Sequence, residues 1–389
     1  MIDPLVMRTN LTYPKTISAR NWGIDCLRGL SILLVMLNHL GLSFRLPLKK
    51  SLLADYVPRQ LLDTLCFNGY EAVFIFFVIS GFLITSKVLS QSELNRVNLR
   101  HFYLRRASRI LPLLLLLLVV LSVLHCLNIK DYVIRQSGQS LPGALVAALG
   151  LYLNWYEGQT TWLPASWDVL WSLSIEEVFY LAFPLLCLRV PRPALIIGLA
   201  LLALSLPLTR GALDGNEIWQ EKAYLPGMAA IAAGVLGAIA AYRWPNLTQR
   251  KVAALFVLGG TGLVAVLFGL IYKLLGHGSM LVLTFAAAAL VVASHQASKS
   301  ARAPKGLGWL AAMGRLSYEI YLSHMFVVLS AVAIFRYYAP DLSWGFAVYV
   351  PCIAVCFWLG AVLERWVTQP CEKTLRRGLL NAKPAVIAS

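Results

Sequence analysis

Charge is scarce in this chain. Only 13% of its 389 residues are Asp, Glu, Lys or Arg, against 59% that are hydrophobic, and its mean hydropathy is +0.69. A soluble protein of this length needs a far larger polar surface, so soluble folds are excluded. Short segments of alternating apolar and polar residues are also lacking, which excludes a transmembrane β-barrel. The seven cysteines (Cys26, Cys66, Cys126, Cys187, Cys352, Cys356 and Cys371) are odd in number and form no CxxC or metal-ligand spacing. They read as small buried side chains, with neither a disulfide framework nor a metal site among them. The first 20 residues hold no short apolar core before a small-residue cleavage site. No cleaved signal peptide is therefore expected, and the first apolar helix does the targeting. Internal repeats and matched Gly/Pro-broken helices, the marks of many secondary transporters, are missing too.

What the chain does have is apolar runs of nearly 20 residues. They fall at about 26–44, 68–88, 108–127, 170–188, 194–209, 225–242, 252–272, 279–295, 315–334 and 344–366. The class is therefore all-α, a polytopic membrane protein of about ten transmembrane helices. An eleventh apolar piece, 141–155, is short and bounded by Pro142 and Asn154–Trp155. Charge decides whether it crosses. Lys87, Arg96, Arg100, Arg105, Arg106 and Arg109 mark the second connection as cytoplasmic. If 141–155 crossed, every later basic cluster would face outward. If it does not, Arg189 and Arg192, Arg243 and Arg250, Lys299 and Arg302, and Lys373 and Arg376 all fall inside. The region 141–169 is thus expected as an outer re-entrant or interfacial segment, with both termini cytoplasmic. The domain reading is a cytoplasmic segment 1–21, one membrane domain over 22–370 and a cytoplasmic tail 371–389. The formal charge of +16 is accounted for by this positive-inside bias, so no nucleic acid partner is expected.

Ionisable residues inside spans cost about 2.5–3.5 kcal/mol each on insertion scales and mark the first places to look for chemistry. The stretch "DCLRGLSILLVMLNHL" carries Arg28 and His39. Eleven helical residues turn through about 1100°, roughly 20° past three turns, so the two share a face about 16 Å apart. "LRRASRILP" sets Arg106 and Arg109 one turn apart at the entry of the third span, suited to gripping phosphates. "WSLSIEEVFYLAFP" puts Glu176 and Glu177, with Tyr180 one turn on, near the outer end of its span, facing an outer cavity. "SYEIYLSHMF" lays Ser317, Tyr321 and His324 along one face of the ninth span. In "YEAVFIFFVISGFLIT" the Ser80–Gly81 pair reads as close helix packing. Singly, each residue has a plain structural reading: Arg28 snorkels, the Arg pair is positive-inside charge, and each His bonds a neighbouring helix. Jointly they trace a polar path across the bilayer, with an imidazole suited to take a proton from a hydroxyl.

The ordered set "RGL…NH", "FFVISGFLIT", "FYLRRASRILP", "WSLSIEEVFYL" and "SYEIYLSH" resembles the acyltransferase family 3 membrane proteins over about residues 22–370. That resemblance implies His39 as the catalytic histidine, with Arg28 completing the arginine–ten residues–histidine pattern. It implies Arg106 and Arg109 as contacts of an acyl-coenzyme A donor. Glu176 or Glu177 with Tyr180 matches the "SLxxE…FY" element, and His324 closes the "YLxH" element. Ala72 and Phe74 stand where many members carry Gly and Asp. The implied activity is O-acyl transfer, with acetyl the usual group, to a sugar hydroxyl of a surface or lipid-linked glycan. The implied setting is a bacterial inner membrane, with no bound cofactor. On this reading the catalytic set is His39, Glu176, Glu177 and His324, and the acceptor enters from the Glu176/Glu177 side. Arg28, Arg106, Arg109, Tyr180, Tyr321 and Ser317 are the donor- and substrate-binding set. His39 either deprotonates the acceptor or carries the acyl group as an acyl-imidazole. Two other readings stay open: a proton-coupled transporter or flippase of a glycosylated or anionic lipid, and an acyltransferase acting on a small hydrophobic molecule.

Overall fold

A computed structural model of the chain describes residues 21–91, 94–297, 305–339 and 341–381. The expected N-terminal segment lies outside these apart from Asn21, as do residues 382–389 of the expected tail. Among the described residues helix is the only regular structure. The apolar helices are α1 (Trp22–Gly41), α2 (Gly69–Gln91), α3 (Leu99–Cys126), α4 (Trp171–Arg189), α5 (Arg192–Leu204), α6 (Tyr224–Arg243), α7 (Gln249–Leu267), α8 (Gly278–Ala297), α9 (Ser317–Tyr338) and α10 (Tyr349–Leu363).

Nine helical stretches among the described residues are long and apolar enough to cross a bilayer. The exception is α5, with 13 residues, or about 20 Å of helix. It stops at Ser205 because Pro207 has no N–H to continue the ladder, and a second short helix, Leu206–Gly211, takes over. The pair still reaches the far side, where the Arg210 guanidinium lies 4.7 Å from the centre of the Tyr70 ring at the start of α2.

The helix ends sort onto two faces. On one, Asn21 donates to the Ser294 carbonyl (3.1 Å) and Gln296 to the Trp244 carbonyl (2.9 Å), joining the start of α1 to the ends of α6 and α8. Arg189 and Arg243 close their helices on this basic face. On the opposite face Asn68 donates to the Leu267 carbonyl (2.9 Å) and Tyr70 to the Gln220 carbonyl (3.2 Å).

The region 141–169 holds no helix long enough by itself to cross a bilayer. It forms three short helices, Leu141–Leu149, Leu153–Thr160 and Ala165–Asp168, and a nine-residue helix reaches only about 14 Å. The segment dips into the bundle, so Trp167, Val169 and Leu170 are buried before α4 begins. At the other end, α10 passes through one π-helical turn, Glu364–Thr368, into a helix over Gln369–Asn381. Helix therefore continues through position 371, where the sequence reading starts the tail.

Small residues set the tightest seam. Gly81 of α2 and Gly234 of α6 each face the other helix's backbone, at the Ile231 and Val78 carbonyls. A methyl at either site has no room, which is the close packing expected at Ser80–Gly81. Gly81→Val should destabilise the protein by about 1–3 kcal/mol, the usual cost of overpacking. Thermal unfolding in detergent checks this; an unchanged melting temperature would mean the seam is not closely packed.

Candidate active site

The sequence pairs Arg28 with His39 on one face of α1, and both ends of that face meet α9. Arg28 donates from Nε and Nη2 to Ser317 Oγ at 3.2 and 2.7 Å. The His39 and His324 rings stand 5.1 Å apart. Ser317, Tyr321 and His324 do share a face of α9, and it runs alongside α1 from Arg28 to His39.

Two cavities open on opposite faces. The basic-face cavity, about 730 Å³, is lined by Arg28, Arg106, Arg109, Glu176, Tyr180 and Ser317. The opposite cavity, about 1080 Å³, is lined by Asn38, His39, Arg45, Tyr70, Asp168 and Trp171. Val73 and Tyr321 line both. They form the septum, and Tyr321 is fixed there by a 2.8 Å hydrogen bond with Ser172.

The expectation that Glu176 and Glu177 face the outer cavity is overturned. Glu176 accepts from Ser80 Oγ (3.1 Å) inside the basic-face cavity. Glu177 accepts from Arg106 Nη2 (2.8 Å) and Nε (3.2 Å), and Glu176 lies 3.9 Å from the same guanidinium. Arg106 is also stacked 3.6 Å over the Tyr180 ring. The physical reason is the dip of 141–169. The chain enters α4 already inside the bundle, so residues 176–180 sit lower than a span starting at the surface would set them. Arg106 consequently has its charge engaged by two carboxylates and an aromatic face. Arg109, one turn on, lines the same cavity and is more exposed.

Around His39 the structure adds a residue that the sequence pattern gives no sign of. Arg45, 4% exposed, donates from Nη1 to the His39 carbonyl at 2.5 Å and lies 3.4 Å from His39 Nδ1. Its loop is tied by Arg336, which donates to the Phe44 and Arg45 carbonyls at 2.6 and 2.7 Å. Burial pushes the Arg45 guanidinium down to about 10, against the pull of Asp168 and Asp131, so it is cationic at neutral pH. Asn38, the other half of the "NH" pair, donates to the Cys66 carbonyl (2.9 Å) and pins the end of α1.

His324 is fully buried, with Nδ1 2.7 Å from the Tyr321 carbonyl. A carbonyl only accepts, so Nδ1 carries the proton and Nε2 the lone pair. Among the described residues no partner reaches that Nε2.

A buried ion cluster caps the opposite cavity. Lys222 donates to Glu157 (2.9 Å) and to Asp168, and lies 4.0 Å from the centre of the Trp162 ring. Burial, reinforced by Asp168, pushes the Glu157 carboxyl above its usual range against the pull of Lys222. Glu217 and Glu221, on the helix that ends at Lys222, line this cavity too.

Comparison with known proteins follows the same outline. The sequence profile of a family described as "Acyltransferase domain" matches residues 21–361. The peptidoglycan O-acetyltransferase OatA of Listeria monocytogenes is 26% identical over 92% of this chain and 56% of its own length. The O-acetyltransferase OatA of Staphylococcus aureus is 28% identical over 67% of this chain and 46% of its own. The chain thus spans about half the length of these relatives. No solved structure matches it.

The Arg106–Glu177 pair generates a test of its own. Arg106→Met should lower the melting temperature by leaving two carboxylates without their cation, and Arg106→Met combined with Glu177→Leu should recover part of the loss. If the double variant melts no higher than the single one, the pair is not the coupling that holds α3 to α4.

Proposed function

Because the chain belongs to the acyltransferase family that this profile describes, we propose that it is a multi-pass membrane O-acetyltransferase. It takes an acetyl group from acyl-coenzyme A on the basic, cytoplasmic face and delivers it to a hydroxyl of a cell-surface or lipid-linked glycan. The membrane is the bacterial inner membrane. The single observation behind this reading is that the arginine-lined cavity and the His39 cavity open on opposite faces and share Tyr321 and Val73. The relatives' names supply the acetyl group and a glycan acceptor as the nearest chemistry.

In this mechanism the donor's thioester reaches the septum from the basic side and the acceptor hydroxyl approaches His39 from the other. The His39 imidazole takes the hydroxyl proton as the oxygen attacks the thioester carbonyl. The new C–O bond forms, the C–S bond breaks, and the thiolate recovers the proton from His39 to leave as the free thiol. Arg45 holds the His39 backbone and ring edge, and His324 packs against the ring from α9. An acyl-imidazole route uses the same groups in two steps. Either way the acceptor meets His39 and the aromatic and acidic lining of the opposite cavity, not Glu176 and Glu177.

A carrier with two half-channels has the same outline, so the experiment must separate the two. Membranes carrying the protein are incubated with radiolabelled acetyl-coenzyme A, and label is counted in the glycan fraction. Label is expected with the wild-type chain and is lost in His39→Ala and His39→Gln at unchanged protein level. Near-normal labelling by either variant would remove His39 from the chemistry. A wild-type protein that leaves the glycan unlabelled would favour the carrier.

A further inference from the structure

Of the arginines that the sequence pattern assigns to the donor, Arg109 is exposed in the basic-face cavity, while Arg106 and Arg28 are already engaged. Arg106 is engaged by Glu176, Glu177 and Tyr180, and Arg28 by Ser317. At the mouth stands a different group. Lys87 comes from the last turns of α2, His101 and Arg105 from the first turns of α3, and Arg376 from the C-terminal helix Gln369–Asn381. These side chains lie within electrostatic range of one another. The one carboxylate paired within the group is Glu372, one turn before Arg376 on the same helix.

Converging like charges repel, and ordinary positive-face lysines and arginines relieve this by spreading into water. Here they are drawn together over a cavity. The Nε atoms of both Arg105 and Arg376 are buried with no hydrogen-bond partner among the described residues. Two part-buried guanidinium groups whose Nε donors are unused, aided by an ammonium, suit a compact dianion that takes several charge-assisted hydrogen bonds at once.

This builds on the acyl-coenzyme A reading above. A donor with its thioester at the Tyr321–Val73 septum leaves its nucleotide end at the cavity mouth. The group on that end with the required charge and shape is the phosphate ester on the ribose. We infer that Arg105 and Arg376, with Lys87, form the subsite for the ribose 3′-phosphate of the donor, while Arg106 is a post that holds α4 against α3. Arg376 lies beyond the stretch matched by the family profile, so family resemblance does not supply it.

The test changes the ligand as well as the protein. Binding of coenzyme A and of 3′-dephospho-coenzyme A is measured by calorimetry on the full chain in lipid nanodiscs. The wild type should bind coenzyme A at least about tenfold more tightly, the value of one charge-assisted hydrogen bond or more. Arg105→Gln and Arg376→Gln should each weaken coenzyme A by a similar factor and leave the dephospho form nearly unchanged. Arg376→Lys, which keeps the charge and loses the fork, should fall between. Equal wild-type affinity for the two ligands overturns the inference without any variant having to fold. Equal weakening of both ligands in the variants also overturns it, because the residues would then be acting through general charge or structure. If the wild type binds neither ligand, the donor reading itself falls and the subsite falls with it.

Discussion

In hydrocarbon a backbone carbonyl has no water to turn to, so short helices and loops survive at membrane depth only where protein covers them. Residues 141–169 meet that constraint through one buried ion cluster, in which Lys222 at the foot of α6 is shared by Glu157 and Asp168. Asn154 donates to the Lys222 carbonyl at 2.9 Å, and Tyr224 to the Leu151 carbonyl at 2.6 Å, so the segment is fastened at its turns as well. Where this plug stops, α4 starts. The height of α4 in turn sets Glu176 and Glu177 beside Arg106 and leaves Asp168 facing the opposite cavity. The buried lysine thus fastens the segment that leads into α4, with Asp168 turned to the opposite cavity.

The two cavities divide the polar residues by chemistry. Guanidinium groups dominate one, while the other combines His39 and Arg45 with aromatic rings and carboxylates. Between them stand one aliphatic and one phenolic side chain. A hydroxyl anchored to Ser172 can yield by rotating about a side-chain bond, whereas backbone in the same position could not. His39 lies on the far side of that boundary from the engaged arginine, with the His324 ring 5.1 Å from its own.

The spans are legible in sequence because length and apolarity alone define them, and the basic clusters assign them to faces. The shared face of Arg28 and His39 is legible because helical periodicity is fixed, and so is that of Ser317, Tyr321 and His324. The level of Glu176 is not legible. It depends on how deep the preceding segment of short helices reaches, and hydropathy cannot tell a span that begins at the surface from one that begins inside. Arg45 is hidden for a related reason: it sits in a loop, where an arginine has no periodicity to betray it, and only the fold turns it back onto His39. Arg376 reads as a tail charge, because nothing in its neighbours signals that helix continues through the π-helical turn.

Arg28 and Arg376 line one cavity, yet nearly the whole described chain separates them. A protein inserted from its N-terminus therefore cannot complete this cavity until the helix Gln369–Asn381 has emerged. Partly made chains would hold His39, Arg106 and the septum tyrosine's neighbours in the bilayer but lack the wall that closes the mouth. Assembly order itself then keeps the cavity open at its mouth until both ends of the chain have met.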